Sequence, residues 1–365
     1  MSILPGVRNR AESDGDFRVV KLDRPLQTGI AMAIAVLATV HFAHHSMGQQ
    51  NMNTQKFGLV IHGGAGTIDR GKLTPELEKQ YRATLERALT AGYEILKHEG
   101  SSLDATEAAV RILEDDPHFN AGKGAVFTSA ETNELDAAVM DGATLKAGAV
   151  CTLKHIKNPI SLARLVMEKS GHVMMSAEGA EAFAKANGIE MVDQKYFFTQ
   201  ERFDALQRVK EKQKAAAKTG QSYIMTAQDR HGTVGAVALD AQGNVAAATS
   251  TGGTTNKRPG RIGDTPVIGA GTYASNATCA VSCTGDGEYF IRAAVAHTVA
   301  TLMELRGLSV KEAAGQALER ARQLGGEGGL IAIDRHGNIA LPFNSSGMYR
   351  GHVGADGKIV VEIYK

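Results

Sequence analysis

Two segments of this chain share one turn grammar, and together they restrict it to folds with antiparallel strands. Residues 236–239 and 245–248 flank Asp240-Ala-Gln-Gly-Asn244, while residues 330–333 and 339–341 flank Asp334-Arg-His-Gly-Asn338. An apolar run, an Asp/Gly/Asn turn and a second apolar run make a hairpin. The span 134–153 alternates around Asp141-Gly142 and reads as a third hairpin or meander. Helical signals sit between these units. Thr74 is an N-cap, Pro75 opens the helix, and Leu77, Tyr81, Leu85 and Leu89 form one buried stripe ended by Gly100. Ser101-x-x-Asp104 caps a second helix running to about residue 113, and Asn158-Pro159 starts a third over 160–168. A small-residue helix is expected over 175–188, and one long apolar helix over 288–305, stopped by Gly307. Ser309-x-x-Glu312 caps another. Helices flanking hairpins in both halves predict an α+β fold, with two antiparallel sheets face to face and helices outside.

The chain has 365 residues. That exceeds the roughly 250–300 at which one simple core stops growing, so several packed layers or two domains are required. Net charge is +1, which excludes the electrostatic footprint of a nucleic-acid binder. Three cysteines give no disulfide framework. Cys279 and Cys283 on one strand would stand about 13 Å apart, beyond the ~7 Å limit for bridging, and read as core residues. Residues 1–50 differ from the rest. Arg8, Arg10, Arg18, Lys21 and Arg24 precede an uncharged apolar run, residues 29–40, too short to span a bilayer. The pattern matches a signal peptide and implies a periplasmic or secreted protein. The alternatives are an extension of a cytoplasmic protein, an uncleaved anchor, or a start at Met32.

The apolar run 57–61 enters His62-Gly-Gly-Ala-Gly66, which lacks both common phosphate-loop patterns. Further on, residues 208–230 are rich in Lys, Gln and Ala, and 206–232 read as a flexible linker. An apolar strand begins abruptly after it at Gly232-Thr233. Cut there, Thr233 would carry both a hydroxyl nucleophile and an α-amine titrating near ~7.7–8, able to act as its base. The plainer reading is a strand that follows a surface loop. Segment 249–287 is dense in small polar residues that admit close backbone approach. Arg261 suits a carboxylate and Asp264 an ammonium, a pair fit for a zwitterion, although a surface ion pair reads the same way. Thr284 and Gly285 offer a hydroxyl and an N–H, either an oxyanion hole or a polar turn.

From Lys56 to Tyr364 the chain resembles the plant-type asparaginase and isoaspartyl peptidase group of N-terminal-nucleophile hydrolases. The matching stretches include His62-Gly-Gly-Ala-Gly66, Phe119-Asn-Ala-Gly122, Glu134-Leu-Asp-Ala137, the strand from Gly232-Thr233, Thr249-Ser-Thr-Gly-Gly253, Pro259-Gly-Arg-Ile-Gly-Asp264 and Cys283-Thr-Gly-Asp-Gly-Glu288. The resemblance implies a four-layer αββα sandwich that cuts itself between Gly232 and Thr233. Fragments 56–232 and 233–365 would stay together and pair as a dimer of heterodimers. It implies hydrolysis of asparagine and β-aspartyl peptides by Thr233, with Thr251 bonded to the nucleophile and Thr284 and Gly285 holding the oxyanion. It further implies Arg261 and Asp264 as substrate clamp, with Gly263, Asp286 and Gly287 beside them. Gly63, Gly64 and Asn120 would be neighbours of the nucleophile. No cofactor is implied for catalysis. A structural sodium ion is implied on the backbone carbonyls of Leu113, Glu114, Asp116, Phe119, Ala121 and Lys123. Asp286 beside the oxyanion loop either repels acidic leaving groups or points to solvent. Two rival readings are a glycosylasparaginase of the same fold and a non-catalytic periplasmic amino-acid-binding protein.

Overall fold

The structure, a computed structural model, describes residues 56–66, 68, 71, 73–220 and 232–365. The N-terminal extension with its signal-peptide reading, and residues 221–231 of the expected linker, lie outside the described residues.

The chain opens with β1 (Gly58–Gly66), α1 (Pro75–Lys97) and α2 (Ser102–Glu114). The hairpin β2 (Leu135–Asp141) and β3 (Ala147–Leu153) follows, then α3 (Pro159–Lys169), β4 (Met174–Ser176), α4 (Ala177–Ala186) and α5 (Gln200–Lys218). After Thr233 come β5 (Val234–Leu239), β6 (Val245–Thr251), β7 (Thr272–Ala274) and β8 (Cys279–Gly285). The chain ends with α6 (Gly287–Ala293), α7 (Val295–Arg306), α8 (Val310–Gln323), β9 (Gly328–Asp334), β10 (Ile339–Ala340), β11 (Gly347–Gly354) and β12 (Val360–Tyr364).

The strands form an eight-stranded sheet, β12-β11-β1-β5-β6-β2-β3-β4, and a four-stranded sheet, β10-β9-β8-β7. Strand alternation then builds the layers. On β1, Leu59 and Ile61 join α1 and α2 in one core cluster, while Val60 faces Ile331 and Ile333 of the small sheet in another. On β8, Cys279, Val281 and Cys283 pack under α7 and α8, whereas Ala280 faces the large sheet. Helix, sheet, sheet, helix is the expected αββα order. Both β8 cysteines are free and buried, as their spacing requires. The second hairpin grammar works as read, but it belongs to the small sheet, while the first lies in the large one.

Three expectations need correction. The sheets are not wholly antiparallel, because edge strand β4 runs parallel to β3. The expected single helix over 288–305 is two, broken at Ala294, whose φ of 46° is left-handed. Its apolar run concealed the break. The linker expected over 206–232 is helical as far as Lys218. Arg202, Ala205, Leu206 and Val209 are buried along one face, and Arg202 donates to the carbonyls of Gly124 (3.0 Å) and His118 (2.6 Å). Lys, Gln and Ala are strong helix formers, so polarity alone was a poor sign of disorder.

Strand order also weaves the two halves together. β5 lies between β1 and β6, and β11 pairs with β1 on its other side. A backbone cut before Thr233 therefore leaves each half hydrogen-bonded into the other's sheet.

Where α3 lies on the large sheet, a Cβ at Gly148 would sit 2.0 Å from the Ala163 carbonyl oxygen. Gly148→Ala is expected to cost about 3 kcal/mol of stability, read as a lower urea midpoint at unchanged slope.

Candidate active site

The layer between the sheets changes character along its length. On β5 the inward residues are Leu239 and Val237, then Gly235 and Thr233. On β6 they run Val245, Ala247, Thr249, Thr251, and on β8 Ala280, Ser282, Thr284. At one end the layer is apolar; at the other, hydroxyl groups from three strands converge, joined by His62 of β1.

Thr233 stands at their centre, buried and held at three points. Its N–H donates to Thr284 Oγ1 (3.2 Å), its hydroxyl donates to Thr251 Oγ1 (3.0 Å), and its carbonyl accepts from His62 Nδ1 (2.9 Å). Thr251 Oγ1 also accepts from the Gly253 N–H (2.9 Å). Thr284 Oγ1 accepts a second N–H, from Ala65 (3.1 Å). Both bonds use its lone pairs, so its hydroxyl proton remains directed elsewhere, as an oxyanion donor requires.

A carbonyl only accepts, so Nδ1 of His62 carries the proton and Nε2 presents a lone pair. Ser282 donates to that nitrogen (2.8 Å), Thr249 donates to Ser282 (2.8 Å), and Thr272 donates to Thr249 (2.7 Å), with the Thr265 carbonyl 3.1 Å away as a weaker branch. This relay fixes one tautomer. Burial pushes the imidazole down to about 3, outweighing the Thr233 carbonyl bond, which favours the proton. The sequence reading placed the 62–66 segment beside the nucleophile without giving His62 a role. Ser282 and Thr272 were missed altogether. Their signal was the switch from apolar to hydroxyl at alternate strand positions.

Glycines clear the space. A Cβ at Gly235 would lie 2.0 Å from Ser282 Oγ and 2.5 Å from His62 Nε2, so the relay occupies the room of a side chain. A Cβ at Gly232 would lie 2.2 Å from Gly64 Cα, and one at Gly64 2.6 Å from Gly232 Cα. The two glycines are needed for different reasons. It is Gly64 that has positive φ, 111°, and Gly232 is required by close approach instead. Gly63 abuts the Phe119 ring in the same way. Asn120 ties two loops together: its Nδ2 donates to the Gly253 carbonyl (2.7 Å), and its Oδ1 accepts from the Val126 N–H (3.0 Å).

Arg261 and Asp264 come together beside Gly287, where a Cβ would meet Arg261 Nη2 at 2.9 Å and Asp264 Oδ1 at 3.0 Å. Arg261 donates through Nε and Nη2 to both oxygens of Glu288 (2.9 and 2.8 Å), a carboxylate the sequence reading did not single out. A Cβ at Gly263 or Gly287 would come within 2.9 Å of this guanidinium. Asp264 is buried, and its Oδ2 has no hydrogen-bond partner among the described residues. Burial, opposed by Arg261, raises its carboxyl to about 7. Asp286 does not point to solvent. Its carboxylate accepts the Glu327 N–H (3.0 Å) and thereby holds the turn beside Gly285.

Residues 113–124 supply crowded carbonyls. A Cβ at Gly122 would sit 2.3 Å from the Glu114 oxygen, and one at Gly124 2.0 Å from that of Phe119. No cluster of three or more His, Cys, Asp or Glu suited to a metal exists among the described residues. A cation here would rest on backbone oxygens, which suits a hard ion.

A family profile described as asparaginase matches residues 55–363. The isoaspartyl peptidase of Escherichia coli K12 is 53% identical over 80% of this chain and 91% of its own length. A putative isoaspartyl peptidase/L-asparaginase of Dictyostelium discoideum is 46% identical over 85% and 99%. The human isoaspartyl peptidase/L-asparaginase is 42% identical over 80% and 91%. The chain belongs to the asparaginase family.

His62 is expected to stay neutral, protonated on Nδ1, from neutral pH down to about pH 4. Imidazole 15N shifts across a pH titration check this, and an imidazolium signature near pH 6 would contradict the buried relay. The stability consequence has a definite sign. A histidine depressed from 6.5 to about 3 leaves stability unaffected above 6.5. Stability then falls with pH below that value, as the unfolded imidazole takes a proton the folded one refuses.

Proposed function

We propose, on the premise of that family membership, that the chain is a self-processing amidohydrolase. It hydrolyses β-aspartyl di- and tripeptides and L-asparagine to release L-aspartate. The observation that carries this reading is the three-point hold on Thr233, which fixes a hydroxyl and a backbone nitrogen side by side.

Processing comes first. Thr233 Oγ1 attacks the Gly232 carbonyl carbon, and the acyl group passes from nitrogen to oxygen. Water then cleaves the ester, leaving a Gly232 carboxylate and a free Thr233 α-amine. With a pKa near ~7.7–8 that amine is substantially neutral at working pH. It takes the hydroxyl proton as Oγ1 attacks the side-chain amide carbon of the substrate. The Thr284 hydroxyl and Gly285 N–H stabilise the oxyanion. The ammonium returns its proton to the departing nitrogen, the C–N bond breaks, and a β-aspartyl ester remains on Thr233. The amine then activates water, and ester hydrolysis frees aspartate.

Arg261 takes the substrate α-carboxylate in place of Glu288, and Asp264 meets the α-ammonium. An incoming cation offsets the burial that raises the Asp264 carboxyl, so substrate binding draws that group toward its charged form. Asp286 acts through the turn that it caps. A sodium ion on the carbonyls of Leu113, Glu114, Asp116, Phe119, Ala121 and Lys123 would brace the loop that carries Asn120; it supplies no chemistry to the reaction. The mature protein is a dimer of αβ heterodimers, exported to the periplasm or secreted.

Thr233→Ala is expected to remain one chain by intact mass and to lose hydrolysis. Turnover by the uncut variant would refute the nucleophile. Arg261→Ala should raise KM about 10- to 100-fold with a smaller change in kcat, measured on asparagine. An unchanged KM would remove the clamp role.

A further inference from the structure

Beside Gly232 lies a cavity of about 400 Å³, the size of a small-ligand pocket. Gly232 itself lines it, with Leu73, Leu77, Tyr81, Tyr349 and Arg208, and with Glu201, whose carboxylate lies 3.9 Å from Arg202. Tyr81 and Tyr349 stack with centroids 4.3 Å apart and planes at 16°, giving the cavity an aromatic wall. Arg208 is exposed on α5 and makes no ion pair with a described residue.

We infer that this cavity is the leaving-group subsite, and that it selects β-aspartyl peptides whose departing residue has an apolar side chain and a free carboxylate. The inference rests on the reading of Thr233 as nucleophile and proton donor. The departing nitrogen must lie within hydrogen-bond reach of the Thr233 nitrogen, which protonates it. In the uncut chain the atom bonded to that nitrogen is the carbonyl carbon of Gly232. The space that Gly232 vacates is therefore where the departing nitrogen arrives, and that space opens into the cavity. The other directions around Thr233 are taken, by Thr251 at its hydroxyl and His62 at its carbonyl. Arg261 and Asp264 hold the aspartyl half. Beyond the broken bond, an apolar side chain meets Leu73, Leu77 and the tyrosine pair, and the carboxylate meets Arg208. Asparagine releases ammonia and uses none of this.

The substrates therefore contain their own control. Processed enzyme is assayed on β-aspartyl-leucine, its C-terminal amide and asparagine. Arg208→Ala should lower kcat/KM for the dipeptide about three- to tenfold and leave the amide and asparagine unchanged. Leu77→Glu should likewise depress the dipeptide against asparagine. Equal effects on all three substrates, or none on the dipeptide, overturn the subsite while the parent's activity upholds the proposed function. A processed parent that hydrolyses neither asparagine nor dipeptide overturns the function and the subsite with it.

Discussion

Everything at the centre of this molecule depends on the way Thr233 is held from both sheets at once. β6 supplies the acceptor for its hydroxyl, β8 the acceptor for its nitrogen, and β1 the imidazole for its carbonyl. Each bond alone contributes only about 1 kcal/mol net. Their combined effect is geometric, because a threonine tied at three points from three strands has little freedom to turn its Oγ1 away. The strands are rigid through packing elsewhere, where the same interlayer is filled by Val237, Val245, Ile331 and Ile333.

A polar layer inside a protein is costly unless every donor finds an acceptor. Here the hydroxyls solve this in series: Thr272 donates to Thr249, Thr249 to Ser282 and Ser282 to His62, so the two inner hydroxyls each accept one proton and donate another. The imidazole ends the series on a carbonyl. A charged imidazolium would reverse the Ser282 bond and strand a proton in a buried site, which is the physical content of its depressed pKa. Glycine provides the room. Gly235 makes way for the relay, while Gly232 and Gly64 allow two backbones to touch immediately before Thr233.

The clamp illustrates a different economy of charge. Arg261 is satisfied by Glu288, so in the proposed reaction exchange of one carboxylate for another leaves no guanidinium bare. Asp264, in contrast, waits with an oxygen unpartnered. In the proposed reaction, selectivity for an amino-acid head group would follow from that asymmetry: the anion site trades partners, and the cation site gains one.

Much of this was legible in one dimension, and the failures have definite causes. The hairpins at 240–244 and 334–338, the capped helices and the clustered Thr, Gly, Arg and Asp depend on local chemistry, so turn residues, caps and spacing reveal them. The extent of α5 was hidden because its polar composition reads as solvated loop until the buried stripe Arg202, Ala205, Leu206, Val209 is seen against the loop that it anchors. The break at Ala294 was hidden because an apolar run carries no mark of a left-handed residue. The sequence by itself determined the αβ alternation, the Gly232-Thr233 junction at the head of a strand, and the presence of Arg261 and Asp264 three residues apart in a Gly-rich segment. Only the tertiary structure decided that Ser282, Thr249 and Thr272 serve His62, that Glu288 holds Arg261, and that Gly232 yields to Gly64. Those pairings join residues up to 220 positions apart, and such contacts exist only once two sheets are pressed face to face.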